Sequence, residues 1–363
     1  MRIIWDGRSE RMYGLGRPTM TSGLVQMITE VSRGLAERGH TVHVLTADLD
    51  VEEQRGANLW YWPASYGPTV ADAVIATQQI NPSAGLDAPV LVLAHTGCDP
   101  YLGEDGEWAE GVEAFPVFSQ AHGDLLRKAR PTIPAEKVHV VGLGVNTWEY
   151  REPVTKVHGR MLYLNDPVRG LLPLLDIFDR VRKEVPEASL HVAYDFERQL
   201  AVRAWEHSQM AQMLWECKRR IESTEGVVNL GNLTREQVVR EQLACQVHAM
   251  PSDPPNVGTQ THGIAQMECA AAGCALVLSD IEAFPEVFGQ GATILPTVGK
   301  YVPALGRRYT ADDWAAVVVE LMRDGDKWQE ASRKARALAE QNTWEGVVER
   351  WERMLEQLGG AVA

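Results

Sequence analysis

A chain of 363 residues is longer than one ordinary core fills and suits two domains of roughly 150 to 180 residues each. With 45% hydrophobic and 23% charged residues it has the composition of a packed protein, and its longest apolar runs, such as Ala88 to Ala94, stop far short of the roughly 20 residues that a membrane-spanning helix needs. A formal net charge of −14 disfavours a protein that tracks nucleic acid through a broad basic face.

The start, Met1 to Asp6, meets an acidic residue at once and lacks the apolar core of a signal peptide, which predicts a cytoplasmic protein. Arg2 to Trp5 reads as a strand, followed by a Gly/Pro/Ser/Thr loop from Gly14 to Gly23. Leu24, Met27, Ile28, Val31 and Leu35 then recur at helical spacing up to Gly39, and Thr41 to Leu45 forms the next strand. Strand, loop, helix and strand within about 45 residues is the βαβ unit of a parallel sheet. Further strands are predicted at Ala73 to Ala76, Val90 to Ala94, Ala114 to Phe118 and Val138 to Val141.

The alternation restarts after Glu152-Pro153. Arg160 to Leu164 is a strand, Leu171 to Glu184 a helix and Ser189 to Ala193 a strand; a helical stretch from 198 to 223 precedes strands at Val227 to Leu230, Gln246 to Met250 and Ala275 to Leu278. The last segment reads as helices with an apolar stripe of Trp344, Val347, Val348, Trp351 and Met354. The expected organisation is α/β, with two Rossmann-like domains facing a cleft: 1–152, 153–335, and a C-terminal helix at 336–363 that packs back toward the first domain. Cys98, Cys217, Cys245, Cys269 and Cys274 show neither CxxC nor Cys/His ligand spacing and read as buried reduced thiols.

The most informative stretch runs from Gln260 to Gly273. Its small and apolar residues predict a buried helix beginning near Gly263, and Glu268 is the odd member, since a buried carboxylate needs a partner. Helical side chains lean toward the N-terminus, where free N–H groups and the dipole favour an anion, and Gly263 lets a phosphate approach the backbone. Glu268 is therefore expected to accept hydrogen bonds from ribose hydroxyls, with an internal salt bridge to an arginine as the alternative. Arg169 follows a strand and a proline turn, where a guanidinium can grip a diphosphate bidentately. His95 follows a predicted parallel strand at its carboxyl end, where open α/β sheets place ligands. Asp48-Leu49-Asp50 satisfies a DxD metal pattern but is expected to be a solvated turn. Trp60, Tyr61 and Trp62 are packing residues first and acceptor platforms second.

The stretch from Gln260 to Glu268 resembles the E-x7-E segment of retaining GT-B glycosyltransferases, in particular glycosyltransferase family four. Thr21-Ser22-Gly23 is similar to that family's glycine loop, Leu35 to Val42 to its passage into the second strand, and Val140 to Asn146 to the turn ending its first domain. Asp166 to Leu171 resembles its phosphate-binding segment, and Leu230 to Leu233 its nucleobase turn. The resemblance implies a metal-independent hexosyltransferase without cofactor, whose co-substrate is a nucleotide-diphosphate sugar, UDP- or GDP-linked. It implies donor contacts from Gly23, Asn165 and Arg169, from Gly231 and Asn232, and from Gln260, His262, Gly263, Ile264 and Glu268, with Arg169 and His95 serving the reaction itself. A glycan, lipid-linked or small-molecule hydroxyl is the expected acceptor; a hydroxymethylated base in DNA is disfavoured by the charge. Two positions depart from the pattern: Gln260 replaces its first glutamate and Leu164 a basic residue. A non-catalytic sugar-nucleotide-binding protein is the rival reading.

Overall fold

A computed structural model describes residues 1–8, 23–63, 65–77, 88–93, 111–202, 209–252 and 260–360. The chain divides into two compact units, Met1–Gly144 with Asn342–Ala363, and Val145–Gln341.

The first unit contains β1 (Arg2–Asp6), α1 (Gly23–Glu37), β2 (Thr41–Thr46), β3 (Glu53–Gly56), β4 (Leu59–Pro63), β5 (Ala73–Thr77) and β6 (Val90–Leu93). These strands form one sheet in the order β3-β4-β2-β1-β5-β6, parallel except for β3. All five residues of β5 are buried, as expected of a strand covered on both faces. The β7 (Phe115–Val117) and β8 (Val138–Val140) strands pair in parallel, with α2 (Gln120–Ala129) between them. The aromatic run expected to serve packing is strand β4: Leu59 and Tyr61 are buried on one face, while Trp60 and Trp62 turn to the other and meet His43 of β2.

The second unit is assembled from β9 (Arg160–Tyr163), α3 (Leu171–Glu184), β10 (Ser189–Val192), α4 (Phe196–Val202), α5 (Gln209–Ser223), β11 (Val227–Asn229), α6 (Arg235–Ala244) and β12 (Val247–Met250). It continues with α7 (Ile264–Ala271), β13 (Ala275–Ser279), α8 (Phe284–Phe288), β14 (Ala292–Leu295), α9 (Ala311–Arg323) and α10 (Gly325–Gln341). Its six-stranded sheet is parallel throughout, in the order β11-β10-β9-β12-β13-β14. The strand order reverses between β9 and β12, the place where such sheets bind ligands beyond the strands' carboxyl ends.

The division falls at Gly144 and Val145, ahead of Glu152-Pro153, because the turn Thr147–Tyr150 is held by the second unit: the Tyr150 hydroxyl donates to Gln242 Oε1 at 2.9 Å. The last helix, α11 (Trp344–Gly360), belongs to the first unit. Its stripe of Trp344, Val347, Val348, Trp351 and Met354 is buried, with the Trp351 ring 5.1 Å from that of Trp5 on β1, and Glu352 pairs with Arg38 at 2.8 Å. Cys217, Cys245, Cys269 and Cys274 are buried free thiols; burial pushes the Cys217 thiol up to about 12. Cys98 lies outside the described residues. No helix among the described residues is long and apolar enough to cross a membrane.

Candidate functional site

The site grows from the three strands at the reversal of the second sheet. Past β9, the Asp166 side chain accepts the Val168 N–H and so caps a single 3-10 turn, Pro167–Arg169. Gly170 follows with φ of 134°, and a Cβ there would lie 2.8 Å from the Pro251 carbonyl oxygen, so glycine alone lets this turn meet the chain leaving β12. The two segments are then stitched together. Ser252 Oγ donates to the Arg169 carbonyl at 2.9 Å, and the Gln260 amide donates to Ser252 Oγ at 3.4 Å. Ser279, at the end of β13, donates to the Ser252 carbonyl at 2.9 Å, and Asn165 Nδ2 lies 3.4 Å from Met250 Sδ. Arg169, half-buried, therefore stands on a backbone fixed to Gln260 through one serine.

Gly263, with φ of 130°, begins α7, and no side chain among the described residues caps that end. A helix start without a cap leaves first-turn N–H groups for an anion. Beneath it runs a buried relay. The Leu162 carbonyl can only accept, so His248 Nδ1, at 2.9 Å, carries the proton, and His248 Nε2 faces the Gln266 amide nitrogen at 3.4 Å. Burial lowers the His248 pKa, which keeps the ring neutral. A Cβ on Gly263 would meet Gln266 Oε1 at 2.7 Å. His262 is buried with its ring edge-on to Phe288, and Ile264 is half-buried as the first helical residue.

Glu268 has protein partners: Oε1 accepts from Arg235 at 2.6 Å and Oε2 from Gln242 at 3.0 Å. Arg235 also grips Glu149 bidentately, at 3.0 and 2.6 Å, and reaches the Tyr150 hydroxyl at 3.1 Å. Burial opposes the charge on Arg235, but the hydrogen bond to Glu149 and the fields of Glu268 and Glu149 outweigh it and raise its pKa. Burial, then the Glu268 charge, hold Tyr150 protonated. The internal salt bridge weighed from sequence is thus present, one helical turn below Ile264.

Gly231 and Asn232 follow β11 at the sheet's far edge, where Gly231 takes φ of 65° and its N–H donates to Asn229 Oδ1 at 3.1 Å. Gly23 is the exposed first residue of α1 in the other unit. His95 and the loop from Gly14 to Ser22 lie outside the described residues. Asp48 and Asp50 occupy the turn after β2, where the Asp48 N–H donates to Thr46 Oγ1. Sequence reasoning passed over Ser252, Glu282, Arg235, Gln242 and His248. Arg235 reads as an ordinary residue after the capping box that Thr234 and Gln237 form, and nothing local marks its two carboxylate partners.

No family model and no curated protein sequence matches the chain. Solved structures do. A sucrose-phosphate synthase from Thermosynechococcus elongatus superposes with a TM-score of 0.74 at 12% identity, over 99% of this chain and 100% of that one. HepE of Anabaena, in complex with UDP and glucose, gives 0.69 at 15% identity over 99% and 100%. AviGT4, a glycosyltransferase involved in avilamycin A biosynthesis, gives 0.68 at 15% identity over 99% and 98%. The fold is therefore that of the GT-B glycosyltransferases, two Rossmann-like units each built on a parallel sheet.

Proposed function

We propose that the chain is a glycosyltransferase that moves a sugar from a UDP- or GDP-linked donor to a hydroxyl acceptor, with retention of configuration and without a catalytic metal. The observation that carries this reading is the chain of contacts from Gln260 through Ser252 to Arg169 beside the uncapped start of α7, at the strand reversal of the second sheet. The solved structure of HepE with UDP-glucose, on the same fold, supports the nucleotide-sugar class.

Transfer builds positive charge on the sugar while negative charge grows on the departing diphosphate, and catalysis stabilises both. In this reading Arg169 and the first N–H groups of α7, at Ile264 and beyond, receive the diphosphate. Gly263 keeps a side chain out of the way, and the amides of Asn165 and Gln260 meet sugar hydroxyls. Gly231 and Asn232 flank the base through their backbone. Glu268 buttresses α7 from below through Arg235. The acceptor attacks from the side of the leaving group, whose phosphate oxygen takes the acceptor's proton, so no protein nucleophile is needed. We assign the donor to the second unit and the acceptor, a glycan or its lipid-linked precursor, to the first.

The test is release of nucleoside diphosphate from a panel of UDP- and GDP-sugars in the presence of EDTA, with and without oligosaccharide acceptors. Turnover of one donor above background is expected. A protein that binds a donor yet turns none over, with or without added manganese, would be a binding protein instead.

A further inference from the structure

Among the described residues Glu282 is the non-glycine residue with a positive φ, at 44°. A side chain in that region is strained, and such positions persist where ligand sites are built. Glu282 sits between β13 and α8, beyond the carboxyl end of the sheet. Oε2 of its carboxylate accepts the backbone N–H of Gln260, and the Ala283 N–H donates to the Gln260 carbonyl at 3.3 Å. The two residues are therefore locked together through the main chain of Gln260, whose side chain points to Ser252. Glu282 is half-buried, and its other oxygen, Oε1, has no hydrogen-bond partner among the described residues.

Glycine would take this turn without strain, so the turn alone does not call for glutamate. The Gln260 amide, which meets sugar hydroxyls in the proposed reading, is neutral. A sugar leaving a diphosphate becomes cationic, and an anion on the sugar side adds to the stabilisation that the departing diphosphate gives. We propose that Glu282 is the acidic residue of the sugar subsite: Oε1 accepts hydrogen bonds from hydroxyls of the transferred sugar, and the carboxylate charge faces the developing cation. This deepens the reading of the site as a sugar-nucleotide site and rests on it. A carboxylate there also selects neutral hexoses and rejects donors whose sugar carries its own carboxylate.

The experiment uses Glu282→Gln, which keeps length and loses charge, and Glu282→Asn, whose residue type tolerates positive φ. Each is compared with wild type by melting temperature, by titration of UDP and GDP, and by donor hydrolysis. The expected result is a fall of about tenfold or more in kcat for both variants, with the fold intact and the affinity for the free nucleoside diphosphate unchanged; wild type also hydrolyses UDP-glucose in preference to UDP-glucuronate, or the GDP-linked equivalents. Folded variants that keep kcat within twofold of wild type overturn the assignment, as does a loss of diphosphate affinity in parallel with turnover, which would mark a structural role. A wild type that binds neither UDP nor GDP overturns the sugar-nucleotide reading, and this assignment with it.

Discussion

Arg235 Nη1 lies 2.6 Å from Glu268 Oε1 while the same guanidinium holds Glu149, so one cation serves two carboxylates on separate elements. Removing it by Arg235→Ala leaves two acids facing each other in a half-buried space and should cost about 3–5 kcal/mol. Glu268→Ala removes one acid and leaves Arg235 with Glu149, so the loss should be smaller, about 1–3 kcal/mol, chiefly from the orphaned Gln242 amide. Urea unfolding of both variants checks the ranking; equal stabilities would contradict it.

Gly263→Ala tests the helix start. At φ of 130° a side chain is strained, and the new Cβ would lie 2.7 Å from Gln266 Oε1 and 3.2 Å from Phe284 and Phe288. A loss of about 1–3 kcal/mol in stability is expected. Donor affinity should fall as well, because a methyl group blocks the approach to the first N–H groups. The melting temperature reads the first effect and donor titration the second.

His248 gives stability a pH dependence. Its folded pKa is lowered by burial from the ordinary 6.5, so its contribution is complete above pH 6.5 and is lost as pH falls below that value, until the ring is protonated in the fold too. The limiting slope is about 1.4 kcal/mol per pH unit for one proton. His43 and His139 shift the same way. The comparison is therefore with His248→Asn, which can still donate to the Leu162 carbonyl and should flatten the acid limb between pH 6.5 and 5.

Arg169→Ala should lower turnover by about 10²-fold or more, as loss of one preorganised donor to a developing anion does. Lysine at 169 should recover part of it, supplying charge without the planar fork. Steady-state kinetics at saturating donor decides this, and unchanged kcat in Arg169→Ala would leave the residue as surface only.

The strands were legible because each parallel strand is a short apolar run between turn residues, and most observed boundaries agree to within two residues with those read from the pattern. The strands β3, β4 and β14 were not: the aromatic run of β4 was read as packing residues. All four residues of β3, Glu53–Gly56, are exposed, so no apolar periodicity marks it. Three of the four residues in β14, Ala292–Leu295, are only half-buried. Gly263 was readable as the start of α7 because that helix stands out as unusually small and apolar. Glu268 announced that it needed a partner, but nothing local could say that the partner was Arg235, 33 positions earlier. Glu282 was invisible, since its distinction is a backbone angle that its own sequence does not favour.

Calorimetric titration of UDP and GDP into wild type and Arg169→Ala decides whether a nucleoside diphosphate binds at the strand reversal of the second unit. One of the two should saturate the wild type, stabilising it by about 2.7 kcal/mol at a hundred times its dissociation constant. That nucleotide should bind Arg169→Ala at least tenfold more weakly. No saturable binding of either nucleotide at millimolar concentration, or equal binding to both proteins, would mean that Arg169 and the strand reversal form no diphosphate site.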